Sequence, residues 1–374
     1  MKKVFQFIAV SALISCSNPD MNNNIVLKPV GQAKFPIDDR TSYKTMYLNT
    51  FIDKEGVECM IFLSMNKNSI LFYNIQDRKL INEILLEKEG PNGVGNPSGL
   101  LYESEDSIFI FSSYKATLIN SYGKVLRNYP ILKAQEKPNI NTGTVRPFTI
   151  SPPIKINSVI YLNSSPDRDV YKPSYFDGNT RVSIDIKTGN INYFESYPEE
   201  YKGKVWGINA TNYSTTYNGN NFIYSFVISD SLYLVEKIGF RKGFLAKTRL
   251  SNKNILSMQK PSYNNDLEYV LGNIQYDGII YDKYRNVYYR FVKHPLPYKN
   301  DNGEINSFHS KPISIIVLNK SLEIIGETKL EDDKFTTSMY FVAQEGLFVS
   351  NSNPKNEDID ENFAEFTIFK LSEK

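Results

Sequence analysis

Residues able to do chemistry are sparse in this chain. It has two histidines, His294 and His309, and two cysteines, Cys16 and Cys59. The histidines flank a Pro- and Asn-rich loop, Pro295 to Gly303. Together with Asp301 they would supply the three protein ligands a mononuclear zinc needs. Solvent-exposed loop histidines are the simpler reading, and no metal is expected. Asn300-Asp301-Asn302-Gly303-Glu304 lacks the alternating acids and closing Glu of a calcium loop, so a turn is expected. Gly90-Pro91-Asn92-Gly93-Val94-Gly95 is glycine-rich, but no Lys-Ser/Thr pair opening a helix follows it. A tight connection needing positive φ fits better than a phosphate loop. No His-Glu-x-x-His or Gly-x-Ser-x-Gly is present, so no catalytic residue and no cofactor are assigned. The acid pairs Glu199-Glu200 and Asp332-Asp333 are sequence neighbours in turns. A glycosidase pair must instead face each other across a substrate.

What remains is a set suited to binding. Arg146 and Arg290 lie beside strand-like runs. Trp206, Asn209 and Asn212 lead into another, and His294 closes a third. If the strand ends converge, these six line a cationic, aromatic, amide-rich mouth for a polar or anionic ligand. The tyrosines Tyr197, Tyr201, Tyr213 and Tyr217 share a polar segment with Trp206 and could stack on sugar rings or peptide side chains. The plainer alternatives are arginines paired with acids and aromatics packed in the core.

Those residues need a scaffold, and the composition says which kind. The chain has 374 residues, with 26 Tyr, 23 Phe and only nine Ala. Alanine favours helices, whereas aromatic and β-branched residues suit a pleated surface. An all-β protein is expected. Lys plus Arg is 43 against 41 Asp plus Glu, which excludes a strongly basic nucleic-acid binder.

The N-terminus carries an address. Lys2 and Lys3 precede an apolar run from Val4 to Ile14, the length of a secretory h-region and too short to span a bilayer. It ends in Leu13-Ile14-Ser15-Cys16, which resembles the bacterial lipobox. Residues 1–15 are expected to be a lipoprotein signal peptide, and Cys16 the lipidated mature N-terminus. An acylated Cys with more than one chain anchors stably. Removing 1–15 takes away two lysines, leaving 41 basic and 41 acidic side chains. Residues 16–24 should form a flexible tether. Cys59 then stands alone in a strand-like run and reads as a buried, inert thiol.

From residue 25 to 374 one domain is expected. A strand–turn–strand hairpin recurs around Asn74, Asn120, Asp185 and Asn319, each placed to close an Asx turn. Two further strand candidates precede each hairpin. Units of four strands at this spacing indicate a β-propeller. Six blades are counted, with seven as the alternative if Lys253 to Asp277 hides a short one, and a β-sandwich pair as the competing fold. The last unit has three strands, and Ile25 to Val30 is the obvious donor of a fourth, with Pro29 held to an edge. The core should include Phe62, Leu71, Phe109, Phe111, Ile184, Phe226, Leu234, Tyr289, Ile315 and Phe348.

The lipobox, the four-stranded units and the Lys88 to Gly95 loop resemble propeller lipoproteins of Bacteroides-type bacteria, families of unknown function akin to six-bladed and TolB-like propellers. The resemblance implies a fold and an address and transfers no catalytic residues. The expectation is a lipid-anchored, non-catalytic binding or interaction module of the cell envelope, on the outer membrane with its face open. It would be a monomer taking a glycan, peptide or protein ligand. The alternative is a hydrolase or lyase acting on a glycan or peptide at the same mouth.

Overall fold

The structure is a computed structural model and describes residues 24–131, 143–237 and 240–374. The expected signal peptide, Cys16 and the expected tether up to residue 23 lie outside the described residues. The protein is all-β, a propeller-like arrangement of small antiparallel sheets. Strand β1 (Ile25–Pro36) is the first element among the described residues and belongs to the last sheet. The first sheet follows in simple order: β2 (Leu48–Ile52), β3 (Glu58–Ser64), β4 (Ser69–Asn74) and β5 (Lys79–Leu85). The second is β6 (Gly99–Ser104), β7 (Ser107–Ser112), β8 (Lys115–Ile119) and β9 (Val125–Pro130). The third holds β10 (Gly143–Val145), β11 (Ile154–Ile156), β12 (Val159–Pro166), β13 (Asn179–Asp185) and β14 (Ile191–Ser196), with β10 and β11 both pairing β12. The fourth is β15 (Tyr213–Tyr217), β16 (Phe222–Phe226), β17 (Ser231–Lys237) and β18 (Phe240–Leu245).

The remaining strands form one sheet of eight. Helix α1 (Tyr263–Gly272) leads into β19 (Gln275–Asp282), β20 (Val287–Lys293), β21 (Ile313–Asn319) and β22 (Ile324–Lys329). After them come β23 (Tyr340–Ala343), β24 (Gly346–Ser350) and β25 (Phe363–Glu373). Its order is β19-β20-β21-β22-β1-β25-β24-β23. Six separate four-stranded units are therefore not what the sheets present: four small sheets stand apart and the last two units are fused. The fusion is slight. β1 pairs β25 antiparallel along its length, but meets β22 in parallel at one Cα pair, Ile25 with Gly326. A Cβ on Gly326 would sit 1.9 Å from the Ile25 carbonyl oxygen, so only glycine permits this approach. The seven-unit alternative finds no extra sheet, because Lys253 to Asp277 contains α1 instead.

The hairpins turn as their sequences dictate. The Asn74 side chain accepts from the Asp77 amide at 3.0 Å, Asn120 from Tyr122 and Lys124, Asp185 from Lys187, and Asn319 from Ser321 and Glu323. Local side-chain acceptors thus take amides that a two-stranded turn leaves free. Gly90 and Gly95 have φ of 88° and 77°, and the loop they shape runs into a strand. Of the ten expected core residues, nine are buried and Leu234 is half-buried. The core is a chain of clusters between neighbouring sheets. Phe62, Leu71 and Phe348 join the first sheet to the last, while Phe109, Phe111 and Ile184 join the second to the third. Each such side chain contributes about 1.5–3 kcal/mol on burial. Cys59 is fully buried, and burial pushes its thiol up to about 11.

Candidate functional site

The innermost segments of neighbouring sheets are bonded to one another. The Leu48 amide donates to Thr149 Oγ1 at 2.9 Å, and the Thr215 amide to the Ile150 carbonyl at 3.1 Å. The Ile279 amide donates to Ser214 Oγ at 2.9 Å. A Cβ on Gly278 would lie 2.1 Å from the Tyr340 hydroxyl. Polar groups at the strand ends are used by the neighbouring sheet, and the six expected binding residues are dispersed accordingly.

Arg290 is fully buried. Its Nε donates to Ser225 Oγ, Nη1 to the Asp230 and Ala246 carbonyls, and Nη2 to those of Ser229 and Ser231. Its guanidinium lies 3.8 Å from the Tyr276 ring centroid. It clamps the fourth sheet to β20 and faces no solvent. Trp206 is 4% exposed, with Nε1 donating to the Tyr201 carbonyl at 3.1 Å. Tyr197, Tyr201 and Tyr213 share one buried cluster with it, Tyr201 against its ring at 5.9 Å, and Tyr217 packs tilted on Phe222 at 5.1 Å. Trp206, Tyr197, Tyr201 and Tyr213 are core, buried ring against ring, and Tyr217 is half-buried at its edge.

His294 is buried rather than exposed, while His309 is exposed. The Ser314 hydroxyl donates to Glu327 Oε1 at 2.7 Å and lies 2.8 Å from His294 Nε2. With its proton on Glu327, Ser314 accepts from Nε2–H, which leaves Nδ1 bare and unpartnered. Burial lowers the His294 pKa below 6.5. A serine fully buried with its proton turned from the histidine is no nucleophile. Among the described residues no three His, Cys, Asp or Glu cluster as a metal site.

Two of the six do meet. Arg146 Nη1 donates to Asn212 Oδ1 at 3.1 Å. Both line a recess between the third and fourth sheets, with Asn163, Ser164, Ser165 and Thr211. Asn209 lies in the short turn Ile208–Thr211 just before it. The recess holds about 10 Å³, the scale of one water-sized group. Behind Asn163 lies Arg181, 1% exposed, whose Nη1 donates to Asn163 Oδ1 at 2.8 Å. Its Nε and Nη2 have no partner. The guanidinium is covered by the rings of Phe222 at 4.7 Å and Tyr224 at 5.4 Å. Ser164 Oγ, Ser165 Oγ and Thr180 Oγ1 are also buried and unpartnered. Among the described residues neither arginine has a carboxylate partner within 4.0 Å. A buried cation is ordinarily paired, and buried hydroxyls ordinarily bonded. Arg181, Asn163, Ser164 and Ser165 escaped the sequence reading. The available signal was polar Asn163-Ser164-Ser165 ending the apolar run Val159 to Leu162, and a lone Arg181 in the next strand.

Fold and site together describe an all-β, propeller-like protein with a cationic recess between two of its sheets. The chain belongs to the DUF4221 family, a domain of unknown function, whose sequence profile matches residues 24–329. A crystal structure of a DUF4221 family member from Bacteroides vulgatus ATCC 8482 is similar at a TM-score of 0.78 and 29% identity. That match covers 94% of this chain and 100% of the other. Regucalcin from Agrobacterium tumefaciens, described as a calcium-binding protein, reaches a TM-score of only 0.46 at 9% identity, covering 89% of this chain and 94% of that one. The PQQ-bound aldose sugar dehydrogenase of Streptomyces coelicolor reaches 0.45 at 12%, covering 92% and 100%. Neither carries an argument about function. No curated protein matches the sequence.

Proposed function

We propose that this protein is a lipid-anchored, non-catalytic binding module of the bacterial cell envelope, and that its ligand presents a carboxylate to the Arg146 recess. The observation that supports this is the pair of acid-free arginines beside unpartnered buried hydroxyls. Arg146 supplies charge at the opening, Ser164 and Ser165 supply hydroxyl donors, and Arg181 adds a positive field from behind. Only the ligand's anionic tip enters so small a recess. We read the eight-stranded sheet as two blades joined by the Ile25–Gly326 contact, which gives six in all and one domain over residues 25–374. The anchor is lipid on Cys16, on the outer membrane. No helix among the described residues is long and apolar enough to cross a membrane.

The test uses the full chain carrying Cys16→Ser. Acetate titrated against chloride at constant ionic strength should raise its melting temperature saturably. Arg146→Gln should weaken the acetate effect at least tenfold, about 1.4 kcal/mol, with the starting melting temperature unchanged. Equal response to both salts, or to both proteins, rejects the recess. The anchor is tested separately: the native chain should take up labelled palmitate and Cys16→Ser should not. Full labelling of that variant rejects it.

The enzyme reading keeps one observation. Glu195, Glu199, Glu200, Tyr233 and Arg241 line a recess of about 400 Å³ at the outer side of the third and fourth sheets, a ligand-sized volume. Glu195 has φ of 56°, a conformation that costs energy in a non-glycine residue. Yet Glu200 already accepts from Ser229 and Tyr233, and Glu195 pairs with Arg241 at 3.5 Å. Turnover of a glycan abolished by Glu200→Gln would establish the hydrolase or lyase in place of the binding module.

A further inference from the structure

A second surface lies between the first and second sheets, remote from the arginine recess in sequence and built from different chemistry. It is a groove of about 1340 Å³, above the usual range for a small-molecule pocket and of a size for a stretch of polypeptide. Its floor is aromatic. Phe51 and Phe72 of the first sheet meet Tyr102 of the second, with centroids 4.4 Å apart for Phe51–Tyr102 and 5.4 Å for Phe72–Tyr102. Its flanks are apolar and open: Ile52 is 49% exposed, Ile81 53% and Tyr122 90%.

Its rim is acidic. Asp53, Glu55, Glu83, Glu103, Glu105 and Asp106 line it against a single cation, Lys54. Some of this charge is already met. Lys67 pairs with Glu83 at 2.7 Å, Lys54 with Glu105 at 3.6 Å, and Lys155 with Glu103. Counting Lys67 and Lys155 as well, six acids still face three cations. The chain as a whole is nearly neutral, so the excess is local. One wall is β5, which ends the order of its sheet and so presents a free backbone edge. That edge carries exposed Leu80 and Leu85 as well as Ile81. An unprotected apolar edge strand is a ready template for a further strand.

We infer that this groove docks an extended basic segment of a partner protein, with Lys or Arg alternating with apolar residues. The ammonium or guanidinium groups sit over the aromatic floor and against the acidic rim, and the alternate apolar residues cover Ile52 and Ile81. Anionic lipid is repelled by the same rim.

The test takes the full chain carrying Cys16→Ser and a short labelled peptide alternating Arg and Leu, read by fluorescence anisotropy. The peptide should bind saturably and lose affinity as salt is raised. Glu55→Lys with Asp106→Lys, both exposed positions, should weaken binding at least tenfold, and Tyr122→Ala at least threefold. Circular dichroism confirms that the variants fold, and the acetate response at Arg146 should be unaffected. Equal binding of a Glu–Leu peptide, or unchanged binding by the charge-reversed variant, overturns the inference. So does concentration-dependent self-association abolished by the same changes, which would assign the groove to a second copy.

Discussion

Above pH 10 the folded protein is expected to lose its stability within about two pH units. Burial raises the pKa of Tyr47, Tyr73, Tyr197, Tyr201, Tyr276 and Tyr340 well above the ordinary 10.0, desolvation being the largest cause in each. Phenolate is favoured in the unfolded chain, where it is hydrated. A raised folded pKa gives stability that is complete below pH 10 and is lost as pH climbs from there toward the folded value. Each tyrosine contributes about 1.4 kcal/mol per pH unit, so these six alone give a slope of about 8 kcal/mol per unit. That exceeds the total stability of most domains within two units. On the acid side, burial holds His294 and Lys311 below their ordinary 6.5 and 10.5. Lowered bases reverse the sign: the unfolded chain binds the extra protons, and stability falls as pH drops below the ordinary pKa. The maximum should therefore lie between pH 8 and 10. Urea unfolding followed by circular dichroism across this range checks the profile. A melting temperature unchanged at pH 11 would mean that these hydroxyls are not buried.

The sequence carried the sheets better than the site, for a physical reason. Strand alternation and Asx turns are local, so Asn74, Asn120, Asp185 and Asn319 could be read within a few residues of themselves. Closure was also legible, because a three-stranded last unit with an apolar N-terminal run has one economical solution. The fusion at Gly326 was not, since it depends on a single contact between residues about 300 apart. Nor was α1, which occupies the stretch where the seventh blade was the alternative. Asp266 anchors it by accepting from the Ile208 amide at 2.9 Å, and Val270 and Leu271 are buried beneath it. The expected mouth rested on strand ends that converge with their side chains free. Partners decide that freedom, and composition cannot show them. Arg146 and Arg290 look alike in sequence, but one has open donors and the other has none.

Replacing Arg290 gives the clearest separation between those two roles. Arg290→Ala should destabilise the protein by about 3–5 kcal/mol, because it removes at once a donor to four carbonyls, two of them fully buried, and to the Ser225 hydroxyl. Burial lowers the Arg290 pKa to about 10, so holding the charge inside already has a cost. Removing the charge relieves that cost, but the buried carbonyls of Ser229 and Ala246 are left without their guanidinium donor, and that outweighs it. These are main-chain groups in the turn between β16 and β17 and just past β18, and cannot rotate toward water without moving the fourth sheet. Arg290→Lys keeps a charge but presents three donors from a point in place of a planar fork. It should recover only part of the loss, with about 2 kcal/mol still missing. Arg146→Gln, at a half-buried position with one side-chain partner, should stay within about 0.5 kcal/mol of the native protein. Urea midpoints for the three variants, with the slope checked for constancy, give the comparison. If Arg290→Ala keeps the native midpoint and instead loses the acetate response, Arg290 belongs to the ligand site and its clamp across the fourth sheet is incidental.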